Sequence, residues 1–143
     1  MSVTRRGVLL RPLRVARPSD VLDEATWPDD GQVMEFGTGS GWGRKVQVNT
    51  GVNSRNFAGI YRAAWSAKNT NVASQNMPVQ LAEGVVNVLG SSSGSKGDEL
   101  ITAGDGTLRV GTGFGTPVYV ARSESDFGDG DLFPAQVYPV AVS

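Results

Sequence analysis

The sequence predicts an all-β protein: a small antiparallel β-barrel or sandwich with an extended N-terminal arm and long Gly-rich loops. Three observations predict it. Glycine supplies 19 of the 143 residues, nearly twice its usual share, and each interior Gly costs a helix roughly 1 kcal/mol. Apolar residues fall in short runs rich in Val, which suits a pleated, half-buried surface. The runs are separated by Gly, Asp, Asn and Ser, the residues of turns. The length suits one domain with a real core.

Met1 to Pro18 reads as an extended arm. Pro12 and Pro18 lack the N–H of a ladder or helix interior and bias the preceding residues away from the α region. The arm mixes aliphatic residues (Leu9, Leu10 and Leu13 among them) with Arg5, Arg6, Arg11, Arg14 and Arg17. Such an arm suits docking on a partner subunit, with aliphatic side chains in grooves and arginines on carboxylates. A solvated tail and a phosphate-binding tail are the alternatives. The five arginines lack interleaved aromatics, and six acids and no base follow over residues 19–35, which opposes nucleic-acid binding.

Residues 19–45 read as an acidic linker, with a short helix from Ser19 to Trp27. Ser19 is a fair N-cap, Asp20 and Asp23 favour the first turn, and Pro28 stops the helix. Val33 to Phe36 makes a short strand ended by Gly37. Gly37 to Gly43 is a Gly-rich loop with Trp42 as a candidate anchor for a partner. It does not carry a phosphate-binding motif. Arg44-Lys45 follow Gly43 where a P-loop needs Lys-Ser/Thr, and the dinucleotide pattern fails at every starting glycine.

The β domain is assigned to residues 46–143. Val46 to Val48 is a strand and Asn49 to Asn56 a polar turn. Phe57 to Trp65 fits period two or period 3.6, and its aromatics with Ile60 favour a strand. Lys68 to Met77 is a loop. Met77 to Val110 reads as a meander: runs at Val79–Leu81 and Gly84–Leu89 broken at Glu83-Gly84, a Gly/Ser loop, then a hairpin turning at Ala103 to Gly106. Pro117 to Ala121 is a strand and Arg122 to Asp131 an acidic loop. Leu132 to Val142 closes the domain, with Pro134 and Pro139 pointing to an edge or broken strand.

The composition narrows the chemistry. Histidine and cysteine are both absent, which removes the commonest general base, the commonest transition-metal ligand, disulfides and thiolate sites. No apolar run is long enough to span a bilayer, and no secretory h-region or glycosylation sequon is seen. Ser91, Ser92, Ser93 and Ser95 lie near Lys96, but a solvated Lys is a poor base. Asp126, Asp129 and Asp131 suit a solvated turn, with a hard cation as the alternative; they do not match the EF-hand spacing. No enzymatic activity and no cofactor are expected.

From Phe57 to Pro139 the chain resembles the small β-barrel head decoration (cement) proteins of tailed bacteriophages. The resemblance rests on the order of short motifs: Phe57-Ala58-Gly59-Ile60, Met77-Pro78-Val79-Gln80-Leu81 followed by Glu83 to Val88, Lys96-Gly97-Asp98-Glu99-Leu100-Ile101, Gly104 to Leu108, Pro117 to Ala121, and Leu132 to Val137. Pro117 departs from the family, which often has Gly there. The resemblance implies a non-enzymatic virion structural protein, often a homotrimer. It would bind the major capsid protein on the capsid exterior and stabilise the shell, passing through the host cytoplasm during assembly. No direct nucleic acid and no membrane are expected as partners. Other phage structural roles, in the head–tail region or the tail, and a small β module for nucleic acid or glycan are the alternatives.

Overall fold

The computed structural model describes residues 13–15, 20–22, 26–37, 44–63, 77–78 and 81–142. Among them the protein is all-β. Eleven strands share one hydrogen-bonded network: β1 (Leu13–Val15), β2 (Asp20–Leu22), β3 (Val33–Phe36), β4 (Arg44–Val48), β5 (Gly59–Tyr61), β6 (Met77–Pro78), β7 (Leu81–Leu89), β8 (Glu99–Thr102), β9 (Leu108–Val110), β10 (Tyr119–Ser123) and β11 (Leu132–Val142). Their order is β6-β2-β4-β3-β5-β7-β11-β10-β8-β9, with β1 added to β7. Every pairing is antiparallel except β2 with β4.

The apolar residues sort into two clusters on opposite faces of the sheet. Val33 and Ile60 pair across β3 and β5 and enter the larger cluster, with Val86, Val88, Leu100 and Phe133. Their neighbours Met34 and Tyr61 enter the smaller one, with Leu22, Val46 and Leu81. Successive side chains of a strand point to opposite faces, so β3 and β5 form a wall buried on both sides. The strand reading of Phe57 to Trp65 therefore holds at Gly59–Tyr61, where all three residues are buried.

Four expectations are corrected. Residues 20–22, expected in a helix, form β2, because their backbone finds partners in both β4 and β6. The sheet so takes in residues within the stretch read as a linker. Glu83-Gly84 does not break β7. Gly84 takes φ +92°, open to glycine at little cost, and the strand changes partners around it. Residues 81–82 pair with β5 and residues 84–89 with β11.

The third correction is the meander. β8 and β9 form the expected hairpin, but β11 and β10 stand between β7 and β8. Local turn chemistry specifies a hairpin; a strand drawn from the far end of the chain leaves no local signal. The fourth follows from it, because β11 is interior over residues 132–137 despite Pro134; at Pro139 the expected break is present, since Val137 pairs with Ala121 but Val142 with Tyr119, a shift of register between them. A strand residue directs its N–H and C=O to the same neighbour. The Pro134 carbonyl accepts the Glu124 N–H at 3.0 Å, one residue beyond the end of β10. The missing N–H would thus have faced the end of the ladder, where its loss costs least.

Polar clamps hold the loops. Glu35 is 6% exposed, and its carboxylate accepts four hydrogen bonds. Oε1 takes Asn49 Nδ2 at 3.1 Å and the Thr50 N–H at 3.0 Å. Oε2 takes Gln47 Nε2 at 2.6 Å and the Thr50 hydroxyl at 3.0 Å. The buried Thr102 hydroxyl donates to the Gly51 carbonyl and accepts the Ser54 N–H, both at 2.8 Å. At the β9 edge the Ser91 N–H donates to the Leu108 carbonyl and Ser92 Oγ accepts the Val110 N–H, which closes that edge to further strands.

Candidate interaction surface

One cleft lies where the β8 start, the β9 end and the following loop meet. It is a shallow, open cleft of about 410 Å³, lined by Gly97 to Glu99, Val110 to Phe114, Pro117 and Tyr119. The loop over residues 111–118 is pinned by Asn53, which itself sits at φ 52°. Its Oδ1 accepts the Val118 N–H at 2.7 Å and its Nδ2 donates to the Thr116 carbonyl at 3.2 Å. The Arg109 guanidinium lies 5.3 Å from the Phe114 ring centre and steadies the loop tip.

The carboxylate at the cleft is held in place. Tyr138 OH donates to Glu99 Oε1 at 2.8 Å. Tyr138 is pushed up to about 12, first by burial and then by the Glu99 hydrogen bond and charge, with Arg122 opposing. Tyr138 therefore stays a donor through the neutral range and keeps Glu99 aimed at the cleft rim. A carboxylate beside Tyr119 and Phe114 suits a cationic side chain better than an anion or a purely apolar group. Exposed apolar side chains continue the surface. Tyr119 pairs with Val142, which is 48% exposed, and Val140 is 65% exposed.

The charge of the whole chain sorts by segment. Residues 81–143 hold eight acids against three bases, whereas residues 36–80 hold five bases and no acid. Net negative charge thus falls in two stretches, residues 81–143 and residues 19–35, where six acids stand without a base. The first of these includes the 122–131 loop, two of whose carboxylates accept backbone N–H groups. Asp126 Oδ1 accepts the Lys96 N–H at 2.9 Å, and Asp131 Oδ2 accepts the Gly128 N–H at 2.7 Å. Among the described residues no three acidic side chains gather as a metal site.

The residues singled out from sequence divide as follows. Leu13 and Arg14 lie in β1, whose backbone pairs with this chain's own β7. Arg5, Arg6, Leu9, Leu10, Arg11, Arg17 and Trp42 lie outside the described residues. Ser91 and Ser92 turn their hydroxyls to the β9 backbone. Sequence reasoning missed Glu99, Tyr119 and Tyr138 as one surface. Tyr138 meets Glu99 across 39 positions, and no local pattern records such a pair. No protein-family model matches the chain, and no curated protein matches it.

Proposed function

We propose that this chain is a non-enzymatic structural protein that decorates the outside of a phage capsid shell and stabilises it. One observation carries this reading. All but one of the motifs that resemble the decoration family run through strands that are contiguous in the sheet, β5-β7-β11-β10-β8-β9; Met77-Pro78, which open the remaining one, form β6 and pair with β2 at the other end of the sheet. Phe57 to Ile60 enters β5, Glu83 to Val88 lies in β7, and Lys96 to Ile101 enters β8. Gly104 to Leu108 turns into β9, Pro117 to Ala121 leads into β10, and Leu132 to Val137 opens β11. Most of these short motifs, individually weak, thus coincide with one continuous substructure. The strands β2, β3 and β4 extend it beyond β5.

In this reading the major capsid protein is the partner, and repetition over a symmetric shell multiplies modest contacts into firm attachment. A homotrimer is the expected assembly. The test is co-sedimentation of the purified protein with undecorated, expanded heads. Saturable binding at a fixed ratio to capsid subunits is the expected result. A well-folded protein that stays in the supernatant at every concentration overturns the proposal.

A further inference from the structure

Three Asp-Gly steps occur in the chain, at Asp30-Gly31, Asp105-Gly106 and Asp129-Gly130. Such a step is open to backbone isomerisation, because glycine has no side chain to shield its N–H beside the aspartyl carboxyl. The fold sets the three apart. The Gly31 N–H donates to the Tyr61 carbonyl at 3.0 Å. The Asp30 carboxylate accepts the Ala63 N–H at 2.9 Å and meets Arg62 at 3.5 Å. The Gly130 N–H donates to the Gly90 carbonyl at 2.9 Å. The Gly106 N–H has no acceptor among the described residues.

Asp105 is exposed, and its Oδ1 accepts both the Thr107 N–H, at 3.1 Å, and the Thr107 hydroxyl. The first of these bonds closes a ring that contains Cγ of Asp105 and the nitrogen of Gly106. The two atoms that react are thus held in one turn. The glycine itself cannot be exchanged. Gly106 takes φ +86°, and an added Cβ would stand 2.7 Å from Val48 Cγ1. Its carbonyl accepts the Val33 N–H at 2.7 Å, which docks the turn on β3. Packing against β3 therefore demands the residue that makes the step labile.

We propose that Asp105-Gly106 is a site of spontaneous covalent modification, where aspartate converts to isoaspartate and the β8–β9 turn loses its hold on β3. The Gly106 nitrogen attacks Cγ of Asp105 while the carboxyl is in its acid form. The N–Cγ bond forms, the N–H proton passes to solvent, and Oδ2 takes a solvent proton and leaves as water. The resulting succinimide is lighter by that water. Water then adds at Cγ, which restores aspartate, or at the main-chain carbonyl carbon of Asp105, which gives isoaspartate of the original mass. No oxidant or other reagent enters. In isoaspartate the main chain runs through Cβ and Cγ and is longer by an atom, so the Gly106 carbonyl is no longer presented to the Val33 N–H. Val33 is fully buried, and a donor stripped of its partner there weakens the fold. The change is a property of the chain alone and does not depend on what it binds.

The three steps fall on separate tryptic peptides, with Asp105 on Gly97 to Arg109. The full-length protein is aged in warm, mildly acidic buffer, and isoaspartate is mapped on those peptides by electron-transfer fragmentation. A parallel sample is aged in urea. In the folded protein isoaspartate should form at Asp105 about fivefold faster than at Asp129, the factor imposed by first breaking one hydrogen bond of ordinary strength. Asp30 should be slower still. In urea the three rates should converge. The aged protein should unfold at lower urea than fresh protein, whereas Asp105→Glu should keep its midpoint through ageing. Equal rates in the folded protein, or a faster rate at Asp30 or Asp129, overturn the proposal. So does an aged protein that carries isoaspartate at Asp105 with an unchanged midpoint.

Discussion

Replacing Glu35 with alanine should cost the protein about 3–5 kcal/mol, and the figure follows from where its four donors are left. Asn49 is fully buried and loses the acceptor of its Nδ2, while its Oδ1 is already a buried atom without a hydrogen-bond partner. A buried donor stripped of its partner costs about 1–3 kcal/mol. Thr50 is exposed and Gln47 half-buried, so water can replace part of what they lose. Their bonds to a charged acceptor are nonetheless worth roughly 1.5–3 kcal/mol each before that replacement. Glu35→Gln should be milder, at about 1–2 kcal/mol. The new amide at the Oε2 position meets the Thr50 hydroxyl, which can rotate, and the Gln47 amide, which can flip. Urea denaturation with linear extrapolation measures both. A loss under about 1 kcal/mol for the alanine variant would refute the reasoning. So would a glutamine variant as unstable as the alanine one.

Two further outcomes are expected. Gly94→Ala should destabilise by about 1–3 kcal/mol in the same denaturation assay. An added Cβ would stand 2.5 Å from Phe127 Cζ, and Phe127 is stacked on Phe133 with ring centres 3.9 Å apart. An unchanged midpoint would mean that the Gly/Ser loop is not packed as described. Tyr138 holds its proton more tightly folded than unfolded, so its contribution to stability is present below the unfolded value near 10. It is lost as pH rises from there towards about 12. A titration of tyrosinate absorbance should show a late step that Tyr138→Phe removes; if the substitution removes an early step instead, the upward shift is refuted.

The class of fold was legible because it rests on local chemistry. Gly-rich turns and short Val runs mark strands wherever they are packed. The β8–β9 hairpin is the plainest case, since Asp105 Oδ1 accepts the Thr107 N–H at 3.1 Å within the turn itself. The pinning of the 111–118 loop was not legible, because Asn53 reaches it from 65 positions away. Nor was the cleft, whose parts lie on β8, β9, β10 and the loop between β9 and β10.

The sequence by itself determined that this chain folds as a β protein, where most of its strands and turns fall, and how its charge is distributed in blocks. Periodicity, turn residues and composition are properties of neighbours along the chain. Only the tertiary structure decided that residues 20–22 join a sheet and that β11 enters between β7 and β10. It also decided that Glu99, Tyr119 and Tyr138 share one surface. A strand directs half its hydrogen bonds to each side and does not specify which strand receives them. That choice belongs to whichever distant segment buries the most apolar surface against it.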